Sequence, residues 1–143
     1  MRKPRKDPGE EIAVTLLKNL GLSVEKYPEQ DIRTPDFRVS SSDGFYFLTE
    51  VKTIVGPGDD QALIWQTLHN RISAEIYDAS EQFNSVNVHR LAANVLIFVS
   101  QDMRIDGRAL LDFFKGEIKI TDDIIVDLSR QRKGKAGKRI HQI

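Results

Sequence analysis

The chain has 143 residues, 40% of them hydrophobic and 29% charged, enough for one domain with its own hydrophobic core and an ordinary balance for a globular protein. It contains no cysteine, so disulfides and thiolate metal sites are excluded. No apolar run reaches the length of a membrane span, and no apolar signal segment follows the basic start, which points to a cytoplasmic protein with no membrane partner.

The formal net charge is zero, yet all 21 acidic residues lie between Asp7 and Asp127, accompanied there by only eleven basic ones. The other ten sit at the ends: Arg2, Lys3, Arg5 and Lys6, then Arg130, Arg132, Lys133, Lys135, Lys138 and Arg139. An acidic body with basic ends can mark a nucleic-acid binder, and it equally describes two solvated tails; composition alone does not separate these. The chain reads as one domain over 1–129 followed by a basic C-terminal tail over 130–143.

In chain order, Asp7-Pro8-Gly9 opens a helix in which Ile12, Ala13, Leu16, Leu17 and Leu20 recur at helical spacing, with an apolar face centred near Leu16 and Gly21 as the stop. Leu22 to Tyr27 reads as a short strand and Pro28 to Pro35 as a loop. Asp36 to Ser40 and Phe45 to Val55 read as the two strands of a hairpin, joined by Ser41-Ser42-Asp43-Gly44. Gly56-Pro57-Gly58 breaks the second strand, either as a plain turn or as a mobile lip, and Asp59 or Asp60 can cap the next helix. That helix carries Trp65, Leu68, Ile72, Ile76, Ala79 and Phe83 as one apolar stripe. After a connection over Asn84 to Arg90, the apolar run Val95 to Val99 predicts a strand buried on both faces. A helix over Gly107 to Phe114 and weaker strands at Ile118 to Ile120 and Ile124 to Leu128 complete the series. The order predicts an α/β fold with a central mixed β-sheet flanked by helices.

The chemistry is concentrated between Pro35 and Thr53. Side chains alternate along a strand, so Glu50 and Lys52 point to one face and Val51 to the other. Charges in so apolar a strand need partners, and the hairpin can bring Asp36 beside Glu50. Two carboxylates held close repel each other unless a cation lies between them, and an oxygen-rich site suits a hard ion such as Mg²⁺ or Mn²⁺. A divalent ion and a lysine beside it are the parts that phosphodiester hydrolysis needs.

Pro35-Asp36, then thirteen residues containing a hairpin turn, then Glu50-Val51-Lys52 resembles the motif of the PD-(D/E)XK nucleases. By element order the resemblance extends over roughly the first hundred residues; nothing after Val99 adds to it. It implies a restriction-endonuclease-like fold. It further implies that Asp36, Glu50 and the Val51 carbonyl bind metal, that Lys52 serves catalysis, and that a glutamate of the preceding helix assists. Helical-wheel geometry favours Glu10 over Glu11 for that last role, since Glu10 lies at the boundary of the apolar face and Glu11 nearly opposite it.

Weaker signals read more simply. Gln61 and Trp65 resemble the glutamine–tyrosine pair of RecB-like nucleases, with Trp in place of Tyr, but Trp65 is first a member of the apolar stripe. Arg71 and Glu75 read as a surface pair, and His69, His89 and His141 as ordinary polar histidines without metal-ligand spacing. The expected activity is a Mg²⁺- or Mn²⁺-dependent endonuclease, a phosphodiester hydrolase, with DNA preferred over RNA as partner and the tail lysines and arginines contacting phosphate. The alternative is a non-catalytic nucleic-acid-binding module of the same fold. A homodimer stays open.

Overall fold

A computed structural model describes residues 7–56, 63, 65–115, 117–119 and 125–127. Gln61, the caps expected at Asp59 or Asp60, the Pro57-Gly58 end of the break, His141 and the whole basic tail lie outside the described residues. The chain divides into two compact units, one of Met1–Ile54 with Glu81–Val99 and the other of Val55–Ser80 with Ser100–Gln142.

The first unit begins with helix α1, Pro8–Asn19. Asp7 caps it by accepting the Gly9 N–H at 2.8 Å, Pro8 occupies the first turn where its missing donor is harmless, and Glu10, Glu11 and Lys18 complement the helix dipole. The helix buries Gly9, Glu10, Ala13 and Leu17, while Ile12 and Leu16 stay 56% and 52% exposed. The buried face therefore centres on Ala13 and Leu17, not near Leu16. The reason lies in how close the helix approaches the sheet: the Gly9 N–H donates to the Thr53 hydroxyl at 2.9 Å, and a Cβ on Gly9 would sit 2.9 Å from the Val99 Cβ. Only the face with the smallest residues, Gly9 and Ala13, permits that approach.

Strands β1 (Ser23–Lys26), β2 (Phe37–Ser40), β3 (Tyr46–Ile54) and β4 (Ala93–Ser100) form one mixed sheet in the order β1-β2-β3-β4. The first three are antiparallel neighbours, with Val24 opposite Val39, Phe37 opposite Thr49 and Val39 opposite Phe47. The β2–β3 turn uses Gly44 at φ +89° and closes with the Ser41 N–H donating to the Phe45 carbonyl at 2.8 Å. Between β3 and β4 runs the long helix α2, Trp65–Val86. The core of this unit is Ala13, Leu17, Phe37, Val39 and Val51, with Ile97 and Val99 of β4 packed against it. Along β4, Asn94 to Val99 are only half-buried, against the expectation of a strand covered on both faces. Its place at the end of the sheet explains this, since β3 is its one neighbour among the described residues.

In the second unit α2 buries Leu68, Ile72, Ile76 and Ala79, while Ile105 and Phe113 are buried as well. Phe113 belongs to helix α3, Gly107–Lys115, which is capped by Asp106 accepting the Ala109 N–H at 2.9 Å. His69, one of the histidines without metal-ligand spacing, is 4% exposed, with its ring centroid 4.4 Å from that of Phe113. Arg71 donates to the Val55 carbonyl at 2.5 Å. Strands β5 (Glu117–Lys119) and β6 (Ile125–Asp127) pair antiparallel as a separate two-stranded sheet.

Candidate functional site

The register of the hairpin sets the site. Phe37 stands opposite Thr49, so the next pair along, Asp36 and Glu50, share the other face of the sheet. Each carboxylate is held by the backbone of the other's strand. The Asp36 N–H donates to Glu50 Oε2 at 3.1 Å, and the Val51 N–H donates to Asp36 Oδ2 at 2.9 Å. Val51 itself, 1% exposed, anchors β3 in the core beneath α1. Lys52 emerges on the same side as Glu50, with Nζ 3.0 Å from Glu50 Oε1.

Gln82, near the C-terminal end of α2, completes the cluster. Its Oε1 accepts from Lys52 Nζ at 3.2 Å, and its Nε2 donates to the Thr34 carbonyl at 3.2 Å, two residues before Asp36. Gln82 was not legible as a site residue. The only sequence trace is its place between Ala79 and Phe83 at the edge of the apolar stripe, where a polar side chain is half turned inward.

Burial drives the electrostatics. Glu50 is 3% exposed, and its pKa is pushed up to about 7, first by burial and then by the Asp36 charge, against the opposing pull of Lys52 and Gln82. Asp36 is also raised, first by burial and further by the charge of Glu10, while the Val51 N–H, Lys26 and Lys52 act to lower it.

Glu10 is 7% exposed, and Glu11 is exposed. Glu10 Oε2 lies 3.3 Å from Lys26 Nζ, and that ammonium stands 4.9 Å above the centroid of the Phe37 ring. Lys26, on the sequence only an alternating member of a strand, thus supplies the positive partner of Glu10. Glu10, Lys18, Lys26, Tyr27 and Asp36 line an open cleft of about 800 Å³, so Asp36 stands between this cleft and the buried Glu50.

The donor set of Asp36 and Glu50 fits a hard divalent cation: two carboxylates from neighbouring strands, buried and mutually repelling, offer oxygen ligands to one ion. Among the described residues no group of three or more His, Cys, Asp or Glu side chains is placed to hold a metal, so Glu10 is not gathered into a ligand set with the other two. Mg²⁺ needs no more than two carboxylates when water and substrate phosphate complete its shell. Among the described residues no helix is long and apolar enough to cross a membrane. Comparisons with protein-family models, with curated proteins and with solved structures gave no match.

Proposed function

We propose that the protein is a Mg²⁺- or Mn²⁺-dependent endonuclease of restriction-endonuclease-like fold, acting on DNA in preference to RNA. The observation that carries this reading is the reciprocal clasp of Asp36 and Glu50 with Lys52 3.0 Å from Glu50. The order of helix, antiparallel hairpin, long helix and strand around Pro35-Asp36 and Glu50-Val51-Lys52 adds to it.

In this reading Asp36, Glu50 and the Val51 carbonyl would hold the cation. A bound divalent ion would supply Lewis-acid polarisation of the phosphoryl oxygens and lower the pKa of water. Lys52 places its ammonium where charge develops on the phosphoryl group and orients the attacking water by donating to it. The water oxygen forms the new bond to phosphorus, one P–O ester bond breaks, and the water proton ends on the leaving oxygen. Asp36, which lines the cleft, is the member of the carboxylate pair on the side from which a phosphodiester would enter. Glu10 would act at longer range, through its charge on Asp36.

Incubating supercoiled plasmid with the protein in Mg²⁺, Mn²⁺ or EDTA, and repeating it with Lys52→Ala, tests the proposal. Nicking that needs the cation and is lost in the variant is the expected result. One observation favours the second reading, a non-catalytic nucleic-acid-binding module: Lys52 is already engaged by both Glu50 and Gln82. Cation-independent plasmid binding without nicking would select it.

A further inference from the structure

Gln82 is 9% exposed on α2, yet both ends of its amide are engaged, and with different parts of the chain. Oε1 accepts from the Lys52 ammonium on β3, and Nε2 donates to the Thr34 carbonyl in the segment that leads into Asp36. One turn further on, Ser85 donates to the neighbouring Arg33 carbonyl at 2.5 Å, so the end of α2 grips that segment twice. Lys52 and Asp36 belong to different strands, and the Gln82 amide spans them from a third element. A carboxamide suits this position because it accepts and donates in one plane; a carboxylate or an aliphatic chain of equal size would satisfy one partner at most.

We infer that Gln82 is a positioning residue of the site, fixing the Lys52 ammonium relative to Asp36, a role that rests on the nuclease reading for its catalytic consequence. Its effect runs through the orientation of Lys52, through its own hydrogen bond to the Glu50 carboxylate and through the loop that sets the Asp36–Glu50 clasp. In Gln82→Met the volume and the helix are kept, and the hydrogen bonds to Lys52, the Thr34 carbonyl and Glu50 are lost together. Ser85→Ala releases the loop at Arg33 and leaves Lys52 held, so it isolates loop-gripping from Lys52 placement.

The experiment has two readouts on the full-length protein. The first is backbone amide exchange of Asp36 and Val51 by NMR, since these two N–H groups form the clasp. Exchange about tenfold faster in Gln82→Met, with a smaller change in Ser85→Ala, is the expected result, as loss of roughly one hydrogen bond's worth of local stability implies. The second is plasmid nicking, where kcat is expected to fall about tenfold or more with KM for DNA nearly unchanged, because misplacing a catalytic group acts on the transition state. Exchange identical to wild type in a folded Gln82→Met, or a loss confined to KM, overturns the assignment. If Gln82→Met does not fold, Gln82→Glu, which keeps an acceptor for Lys52 and loses the donor to Thr34, takes its place with the same expected acceleration at Asp36. A wild-type protein that nicks nothing in Mg²⁺ or Mn²⁺ refutes the nuclease reading, and amide exchange still decides the role of Gln82.

Discussion

Replacing Glu50 with Gln should stabilise the metal-free protein at alkaline pH. The Glu50 carboxyl moves from 4.5 when exposed to about 7 in the folded protein, chiefly through burial and then through the Asp36 charge. A carboxyl raised in this way stabilises the folded state while it is protonated. That contribution is complete below about pH 4.5 and is lost as the pH rises through about 7. The difference between 4.5 and about 7 corresponds to roughly 3 kcal/mol by the usual conversion of pKa to free energy. Gln reproduces the neutral form with similar shape. In urea unfolding with EDTA, Glu50→Gln should therefore exceed the wild type by about 2–3 kcal/mol near pH 8.5 and match it near pH 4.5. Adding Mg²⁺ at pH 8.5 should raise the stability of the wild type with concentration and leave the variant unmoved, since binding to the folded state alone is stabilising. A wild type equally stable at both pH values, or a variant that is less stable at pH 8.5, would show that Lys52 and Gln82 compensate the buried charge fully and would refute the reasoning.

Three further outcomes follow from particular contacts. Gly9→Ala places a methyl group 2.9 Å from the Val99 Cβ and against the Thr53 hydroxyl, so thermal unfolding should show a loss of about 1–3 kcal/mol; an unchanged melting temperature would mean that α1 can move off the sheet. The Thr49 hydroxyl is fully buried and has no hydrogen-bond partner among the described residues, so Thr49→Val should raise stability by about 1 kcal/mol in the same assay, and a loss would place a partner there. Deleting the chain after Ser129 removes six basic residues and should weaken DNA binding and flatten its dependence on salt while cleavage at saturating DNA survives; an unaltered salt slope would exclude the tail from phosphate contact.

The hairpin and the juxtaposition of Asp36 with Glu50 were legible in the sequence because strand alternation is a local rule and the Ser41–Gly44 turn sets the register. The orientation of α1 was not. Two apolar stripes, Ile12-Leu16-Leu20 and Ala13-Leu17, lie side by side on it, and hydrophobicity alone favours the bulkier one. Close approach of Gly9 to β3 and β4 decided for the other, and that is a property of the partner surface. The run Val95 to Val99 is as apolar as a central strand, but its position at the sheet's end depends on which strands pair, information that five consecutive residues do not hold. Gln82 lies thirty residues from Lys52 and meets it only because α2 returns the chain to the sheet. No spacing rule reaches across such a crossover.

The balance of charge around the site bears on what enters it. Glu10 and Lys26 form a neutral pair. The buried cluster is different: with the Lys26 charge offset by that of Glu10, Asp36 and Glu50 stand against the ammonium of Lys52, which leaves one negative charge in excess when both carboxylates are ionised. Folding alone would be better served by an amide at one of these positions, since a buried carboxylate pair is destabilising unless it is compensated. Departures of this kind are expected where a residue serves something other than the fold. A monovalent ion would bring the cluster only to neutrality, which does not attract a phosphodiester. A divalent ion reverses its sign to one net positive charge, so the site that repels a polyanion becomes one that draws it in. On the nuclease reading, cation binding and substrate binding would thereby be coupled through charge, and Ca²⁺, which resembles Mg²⁺ in charge and ligand preference, should promote DNA binding near Asp36 in the tail-less protein. DNA binding by that protein that is as tight in EDTA as in Ca²⁺ would disconnect the carboxylate pair from the substrate.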